Sequence, residues 1–253
     1  MNFNYDKEDD YKSIFDQRGI WYHRAMMQIP DVRDKEFQNL FEGLSFNTND
    51  LVLDFPSGGG YLKKYLPAGV KVIELESSAS FAKISKCELS DWDHLPYPDK
   101  TFNTIFCCAA LHHVKTELRY QFLGEANRIL LPGGILCIAD ADANEPVTKF
   151  LNGYVDQNNS MGHKGDFLNS DSAAEFAGKL FKVVRNEICR YKWILDSSID
   201  SSSQFLKLMF GLDKADLKEL GNYLKNYLNL QKEDNDRWTI DWSLRYIHLK
   251  KTE

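Results

Sequence analysis

The chain predicts an α/β fold in which a doubly wound, mostly parallel sheet carries an antiparallel strand pair at its edge and a helical cap. Three observations lead there. Short apolar runs at 51–53, 70–73, 102–109 and 135–139 alternate with helix-like segments, as when strands cross over through helices on both faces of a sheet. Several of these runs end on a carboxylate or a glycine turn, so polar groups collect at one end of the strands. The last two strand-like segments, 181–195 and 238–250, instead alternate in polarity and are separated by helical sequence, which fits an antiparallel pair.

Each element has its own local reason. Residues 1–10 form a polar lead, and Tyr11, Phe15, Trp21 and Tyr22 follow on an aromatic stretch that either packs on the domain edge or folds over a ligand as a lid. Residues 1–30 are therefore set apart as a lid segment from a domain spanning 31–253. Pro30 breaks the chain, and Asp31 caps a helix whose apolar face is Phe37, Leu40 and Phe41. Leu51 to Leu53 is a strand closed by Asp54, and Phe55-Pro56-Ser57-Gly58-Gly59-Gly60 turns it into a helix. Val70 to Ile73 ends in Glu74, and Ser77 to Ile84 returns as a short helix. The prolines of DWDHLPYPD make a loop, after which the third strand runs into His112 and His113. Thr116 opens a helix with Leu118, Phe122, Ala126, Ile129 and Leu130 on one face, and Pro132-Gly133-Gly134 leads into a strand ending at Asp140. Two cap insertions are expected, at about 144–170 and 197–230; the second holds Leu217, Leu220, Leu224 and Leu228 at helical spacing.

Composition narrows the function. A chain of 253 residues with 43% hydrophobic and 27% charged residues is ordinary for a globular domain with a sizeable core. A net charge of −6, with no run of more than two basic residues, argues against nucleic acid. No apolar run approaches the ~20 residues that span a bilayer, and the acidic start, MNFNYDKEDD, is unlike a signal peptide. The five cysteines form no C-x-x-C pair, so reduced thiols are expected rather than disulfides or a zinc site. A cytoplasmic monomer or homodimer is the expectation.

In an open parallel sheet, ligands sit beyond the carboxyl ends of the strands. This chain places Asp54 and its glycines, Glu74, Asp91, the Ala109–His113 turn and Asp140 there. Glycines let a ligand approach the backbone, and a following helix presents N–H groups to an anion. A G-x-G-x-x-G dinucleotide loop is missing; Asp54-x-Pro56-x-Gly58-x-Gly60 stands in its place.

That loop resembles the D-x-G-x-G-x-G motif of class I S-adenosylmethionine-dependent methyltransferases, with Pro56 in the first glycine position. The resemblance extends in order through VIELE, DWDHLPYPDKTFNTIFCCAALHHV and EANRILLPGGILCIAD, over about residues 48–142, and LPYPDKTF with LHHV is closest to the small-molecule branch. It implies a Rossmann-like domain, S-adenosylmethionine as cofactor, and Asp54, Pro56, Gly58, Gly60, Glu74, Asp91, Trp92 and Ala109 around it. Glu74 would accept the ribose hydroxyls, with Glu76 its rival. Asp91 would accept the adenine amine and Trp92 would flank the ring.

Methyl transfer needs alignment first, and a base where the acceptor must lose a proton. His113 and His163 are the candidate bases, since imidazole titrates near neutrality. Trp21, Tyr22, Tyr154 and Phe205 are the candidate substrate contacts, pointing to a small, partly apolar methyl acceptor methylated on oxygen or nitrogen. Asp140 and Asp142 are read as turn carboxylates, so no metal is expected. The alternatives are a cofactor-binding homologue without catalysis, serving as a partner-binding protein, and a methyltransferase of a carrier- or protein-bound substrate.

Overall fold

The computed structural model describes residues 11–252. In chain order the helices are α1 (Tyr11–Gln28), α2 (Asp34–Leu40), α3 (Ala79–Ser85), α4 (Thr116–Ile129), α5 (Pro146–Lys149), α6 (Asp156–Asn158), α7 (Ser170–Ala177), α8 (Ile199–Phe210) and α9 (Leu217–Tyr227). The strands are β1 (Leu51–Asp54), β2 (Lys71–Glu76), β3 (Glu88–Leu89), β4 (Phe102–Cys108), β5 (Leu130–Asp140), β6 (Phe181–Ile194), β7 (Gln231–Lys232) and β8 (Trp238–Lys251). They form one sheet in the order β3-β2-β1-β4-β5-β8-β6, with β7 paired to β8. The pairs from β3 through β5 are parallel, and β8 runs antiparallel between β5 and β6.

The sheet reverses its winding between β1 and β4, which places a crevice at their carboxyl ends. Val52 and Leu53 are fully buried, so β1 lies between two apolar layers rather than alternating in and out. One layer gathers Phe55, Trp92, Phe102, Phe122 and Leu136 beneath α3, α4 and α7. The other gathers Phe37, Leu40, Phe106, Phe150, Phe205 and Tyr246 with α2, α8 and α9. The strand β8 shows why its sequence alternates only weakly: with neighbours on both edges, ten of its residues from Thr239 to Leu249 are buried, including Ser243, Arg245 and His248.

Several boundaries differ from the sequence reading for local reasons. The segment after the glycine turn is a single 3₁₀ turn, Leu62–Tyr65, because Pro67 follows too soon for an α-helix to close. The β2 strand continues two residues past Glu74 to Glu76. In the first cap insertion a helical run extends through α5, a π-turn at Phe150–Val155 and α6. Its apolar positions, Val147, Phe150, Leu151, Tyr154 and Val155, are buried and supply the packing that its propensity lacks. Among the described residues, no helix is long and apolar enough to cross a membrane.

Candidate active site

The glycine turn leaves β1 at Asp54 and doubles back through Gly58 (φ +57°) and Gly60 (φ +75°). A side chain at Gly60 would stand 2.7 Å from Glu74 Oε1, so the left-handed backbone and the lack of a Cβ are both required there. The Gly58 N–H donates to Glu76 Oε2 at 2.6 Å. The other oxygen, Oε1, accepts from the Ser77 and Ser78 backbone N–H groups at 2.8 and 2.9 Å, and the Tyr11 hydroxyl donates to Oε2 at 3.2 Å. The carboxylate tied to the loop is thus Glu76, fully buried at the end of β2. Glu74, one pleat earlier, pairs with Lys63 at 3.6 Å.

Burial dominates the electrostatics. It pushes Glu76 up to about 7 against the downward pull of its four hydrogen-bond donors. It also raises Asp54 well above the usual carboxylate range, with the nearby Glu74 and Glu76 charges adding to the rise. Next to this carboxylate group, Ser77 Oγ is buried with no hydrogen-bond partner among the described residues, as is Trp92 Nε1. A ribose with its hydroxyls would supply what the Ser77 oxygen lacks. The cleft at the ends of β1 and β4, bounded by Asp54, Pro56, Ser57, Gly58 and Ala109, therefore suits an adenosyl cofactor.

The expected adenine contacts lie on the loop after β3. Asp91 is exposed and pairs with Lys12 at 3.8 Å. Trp92 is buried, with its ring 4.9 Å from Phe55, 5.2 Å from Phe122 and 5.9 Å from Tyr11. It is packed into the apolar layer rather than free to flank a ring. Ala109 adopts a left-handed conformation (φ +52°) and donates its N–H to the Ala139 carbonyl at 2.7 Å, turning the chain out of β4 into the histidine pair.

A second cavity adjoins that turn. Its walls include Tyr22, Glu36, Ala109, His112, His113, Asp140, His163, Phe210 and Trp242. The 3₁₀ turn Leu111–His113 aims His112 at the end of β5, where its Nδ1 meets Asp140 Oδ1 at 2.6 Å and its backbone N–H meets Oδ2 at 2.9 Å. His163 comes from the loop after α6 and is held by Asn152 Oδ1 at 3.1 Å from its Nδ1. The His113 and His163 rings are 5.0 Å apart, and His112 lies 4.0 Å from His113. Burial drives both His113 and His163 well below the ordinary imidazole value, so each is neutral at pH 7 and offers a lone pair. One nitrogen from each of the three rings lies within 4.8 Å of the others, a group that could also draw in a divalent ion. Asp142, by contrast, is committed to Arg245 at 2.5 Å.

The four aromatic residues expected at a substrate are dispersed. Tyr22 lines the cavity, with its hydroxyl accepting from Arg33 Nη1. Trp21 is 46% exposed and carries Arg24 over its ring. Tyr154 and Phe205 are buried in the apolar layer, Phe205 against Trp193, and neither lines the cavity. On a short amphipathic helix, an aromatic at core spacing is most often core, and that is where these two lie. The aromatic wall of the cavity is Trp193, Phe210 and Trp242. Sequence reading also missed Arg18, Arg33 and Glu36. The Arg33–Glu36 spacing is the only sign of their pairing, and it reads equally well as a solvated helix face.

The comparisons fall on the same region. The model of the family described as "Methyltransferase domain" matches residues 53–138, from within β1 into β5. An uncharacterized methyltransferase of Alkaliphilus oremlandii is 28% identical over 145 residues, covering 52% of this chain and 67% of the relative. Among solved structures, a methyltransferase of Bacillus halodurans superposes with TM-score 0.62 at 17% identity, over 87% of this chain and all of that one. An N-methyltransferase of Haemonchus contortus, solved with phosphomonomethylethanolamine and S-adenosylhomocysteine, superposes with TM-score 0.59 at 12% identity, over 96% of this chain and 60% of that one.

Proposed function

We propose that this chain is a class I S-adenosylmethionine-dependent methyltransferase that methylates an oxygen or nitrogen of a small, partly aromatic molecule held in the histidine-lined cavity. When bound, S-adenosylmethionine supplies a methyl group on an electrophilic sulfonium. The single observation that carries the choice of acceptor site is that Ala109 and Tyr22 line both the glycine-loop cleft and the histidine cavity, so the two spaces share a wall.

Within that reading, Glu76 holds the ribose hydroxyls, the Gly58–Gly60 turn admits the amino-acid end of the cofactor, and Asp91 takes the adenine amine. Glu76 is preferred to Glu74 because its carboxylate meets the loop N–H while Glu74 faces Lys63. His113 and His163 serve as proton acceptors for the acceptor group, neutral and buried at the cavity wall. His112 is a positioning residue: Asp140 fixes its ring, and that ring packs on His113. The cavity's apolar side, Leu151, Phe210 and Trp242, excludes water from this group.

The helix α1 acts as the lid. It lies across α3 and α8, with Tyr11 hydrogen-bonded to Glu76 and Phe15 and Tyr22 edge-on at 6.0 Å over the junction of the two spaces. Entry of the cofactor requires Tyr11 to release Glu76.

The test is calorimetric titration with S-adenosylhomocysteine followed by a screen of phenols and aromatic amines for uptake of labelled methyl. Micromolar binding with product formation is expected. Cofactor binding with no methyl uptake by any small acceptor, but uptake by a carrier-linked one, would favour a bound substrate instead.

A further inference from the structure

Two residues that line the cavity carry buried polar atoms of opposite character that are unsatisfied among the described residues. Arg18, on α1, is 7% exposed, and its Nη2 donates to the Met209 carbonyl, yet its Nε is buried with no hydrogen-bond partner among the described residues. Among the described residues no carboxylate stands within ion-pair distance of it. Glu36 also lines the cavity: its Oε1 accepts from Arg33 Nε at 2.7 Å and from its Nη2, while its Oε2 is buried and unpartnered among the described residues. A buried cationic N–H without an anion and a carboxylate oxygen without a donor are both costly in a finished core. They become favourable when a ligand brings the missing partners.

The same cavity has a flat aromatic wall. Trp193 and Trp242 stack at 4.0 Å with 22° between their planes, and Phe210 lies nearly parallel to Trp193 at 6.1 Å. Such a wall suits a planar ring. An anionic oxygen for Arg18, a hydroxyl or amine hydrogen for Glu36 and a ring for the tryptophans describe one molecule.

We propose that the methyl acceptor is a hydroxy- or amino-substituted aromatic acid whose carboxylate seats on Arg18 and whose N–H or O–H donor meets Glu36 Oε2. This rests on reading the histidine-lined cavity as the acceptor site. The anion is assigned to the acceptor rather than to the cofactor's own carboxylate because Arg18 lines the cavity with His112 and His163 and is not among the residues lining the glycine-loop cleft, whereas Arg33 lines both. The lowering of the Arg18 guanidinium to about 10 by burial fits a cation waiting for an anion.

The test uses the full chain loaded with S-adenosylhomocysteine and two probes of matched shape, 4-hydroxybenzoate and 4-hydroxybenzamide. Calorimetry is expected to show the acid binding at least tenfold tighter than the amide, and Arg18→Gln to abolish that difference. Equal binding of the two probes to the wild type would overturn the proposal. A second arm separates the sources of the anion: the variant should bind S-adenosylhomocysteine within twofold of wild type, and a tenfold loss would assign Arg18 to the cofactor and overturn the proposal. A third arm separates binding from structure. Arg18→Met should raise the melting temperature of the ligand-free protein by removing an unpaired buried charge, and a fall of several degrees would make Arg18 a structural residue and overturn the proposal. If the wild type bound no S-adenosylhomocysteine at all, the reading beneath the proposal would fall, a result distinct from a cofactor-loaded protein that ignores the acid.

Discussion

Cofactor affinity should fall as the pH is lowered through neutrality, and Glu76 sets the size of the effect. In the ligand-free protein burial holds this carboxyl at about 7, so roughly half of it is ionised at pH 7 and roughly a tenth at pH 6. Ribose hydroxyls donate to the ionised form, so binding is expected to pull the group down and release its proton. Affinity should therefore weaken about fivefold from pH 7 to pH 6, about 1 kcal/mol, and strengthen less than twofold from pH 7 to pH 8. At pH 7 about half a proton should leave on binding, readable by calorimetry in buffers of different ionisation enthalpy. The neighbours facing Glu76 are the Tyr11 hydroxyl and three backbone N–H groups, with the Asp54 carboxyl close enough to be raised by its charge. Stability runs in the opposite sense. A carboxyl raised in the folded state holds its proton when the unfolded chain has lost it, so ligand-free stability should fall as pH rises from about 4.5 to about 7. Glu76→Ala should weaken S-adenosylhomocysteine at least tenfold, about 1.4 kcal/mol, while Glu74→Ala should cost under threefold. Affinity flat from pH 6 to pH 8, or a larger loss from Glu74→Ala, would refute the assignment.

Other outcomes follow from the same geometry. His113→Gln and His163→Gln should each lower kcat, by about 10²-fold or more for whichever takes the proton, with S-adenosylhomocysteine affinity held within twofold; unchanged kcat in both would leave alignment as the whole mechanism. Methyl transfer should survive exhaustive treatment with EDTA, and loss of activity restored by a divalent ion would make His112, His113 and His163 metal ligands rather than two bases and their positioning residue. Phe122→Ala should destabilise the fold by about 3–5 kcal/mol in urea titration, because the ring is fully buried against Phe55 and Trp92; a cost below about 1 kcal/mol would contradict that packing.

The sheet was readable from the chain because its strands are short apolar runs closed by glycine, proline or a carboxylate, and β1 falls where Leu51–Asp54 predicts it. The terminal pair β6 and β8 was readable because both are long and bounded by turn residues. The site was harder for reasons that lie in the third dimension. In the run ELE, Glu74 and Glu76 share one face of β2, and only the reach of the Gly58 N–H separates them. His112 and His113 are adjacent in sequence, and the left-handed turn at Ala109 decides which of them Asp140 holds. Glu36 sits among polar neighbours on a short helix and looks solvated. Its burial comes from packing α2 onto β8, where the Tyr246 hydroxyl donates to its carbonyl at 3.1 Å.

The central claim is that the cofactor spans the carboxyl ends of β2, β1 and β4 with its sulfur toward the imidazoles. A crystal structure with S-adenosylhomocysteine tests it most directly. The account predicts both ribose hydroxyls on Glu76, the adenine amine near Asp91 and the sulfur facing the cavity that His113 and His163 line. A ribose held by Glu74, or a homocysteine arm directed away from that cavity, would contradict it.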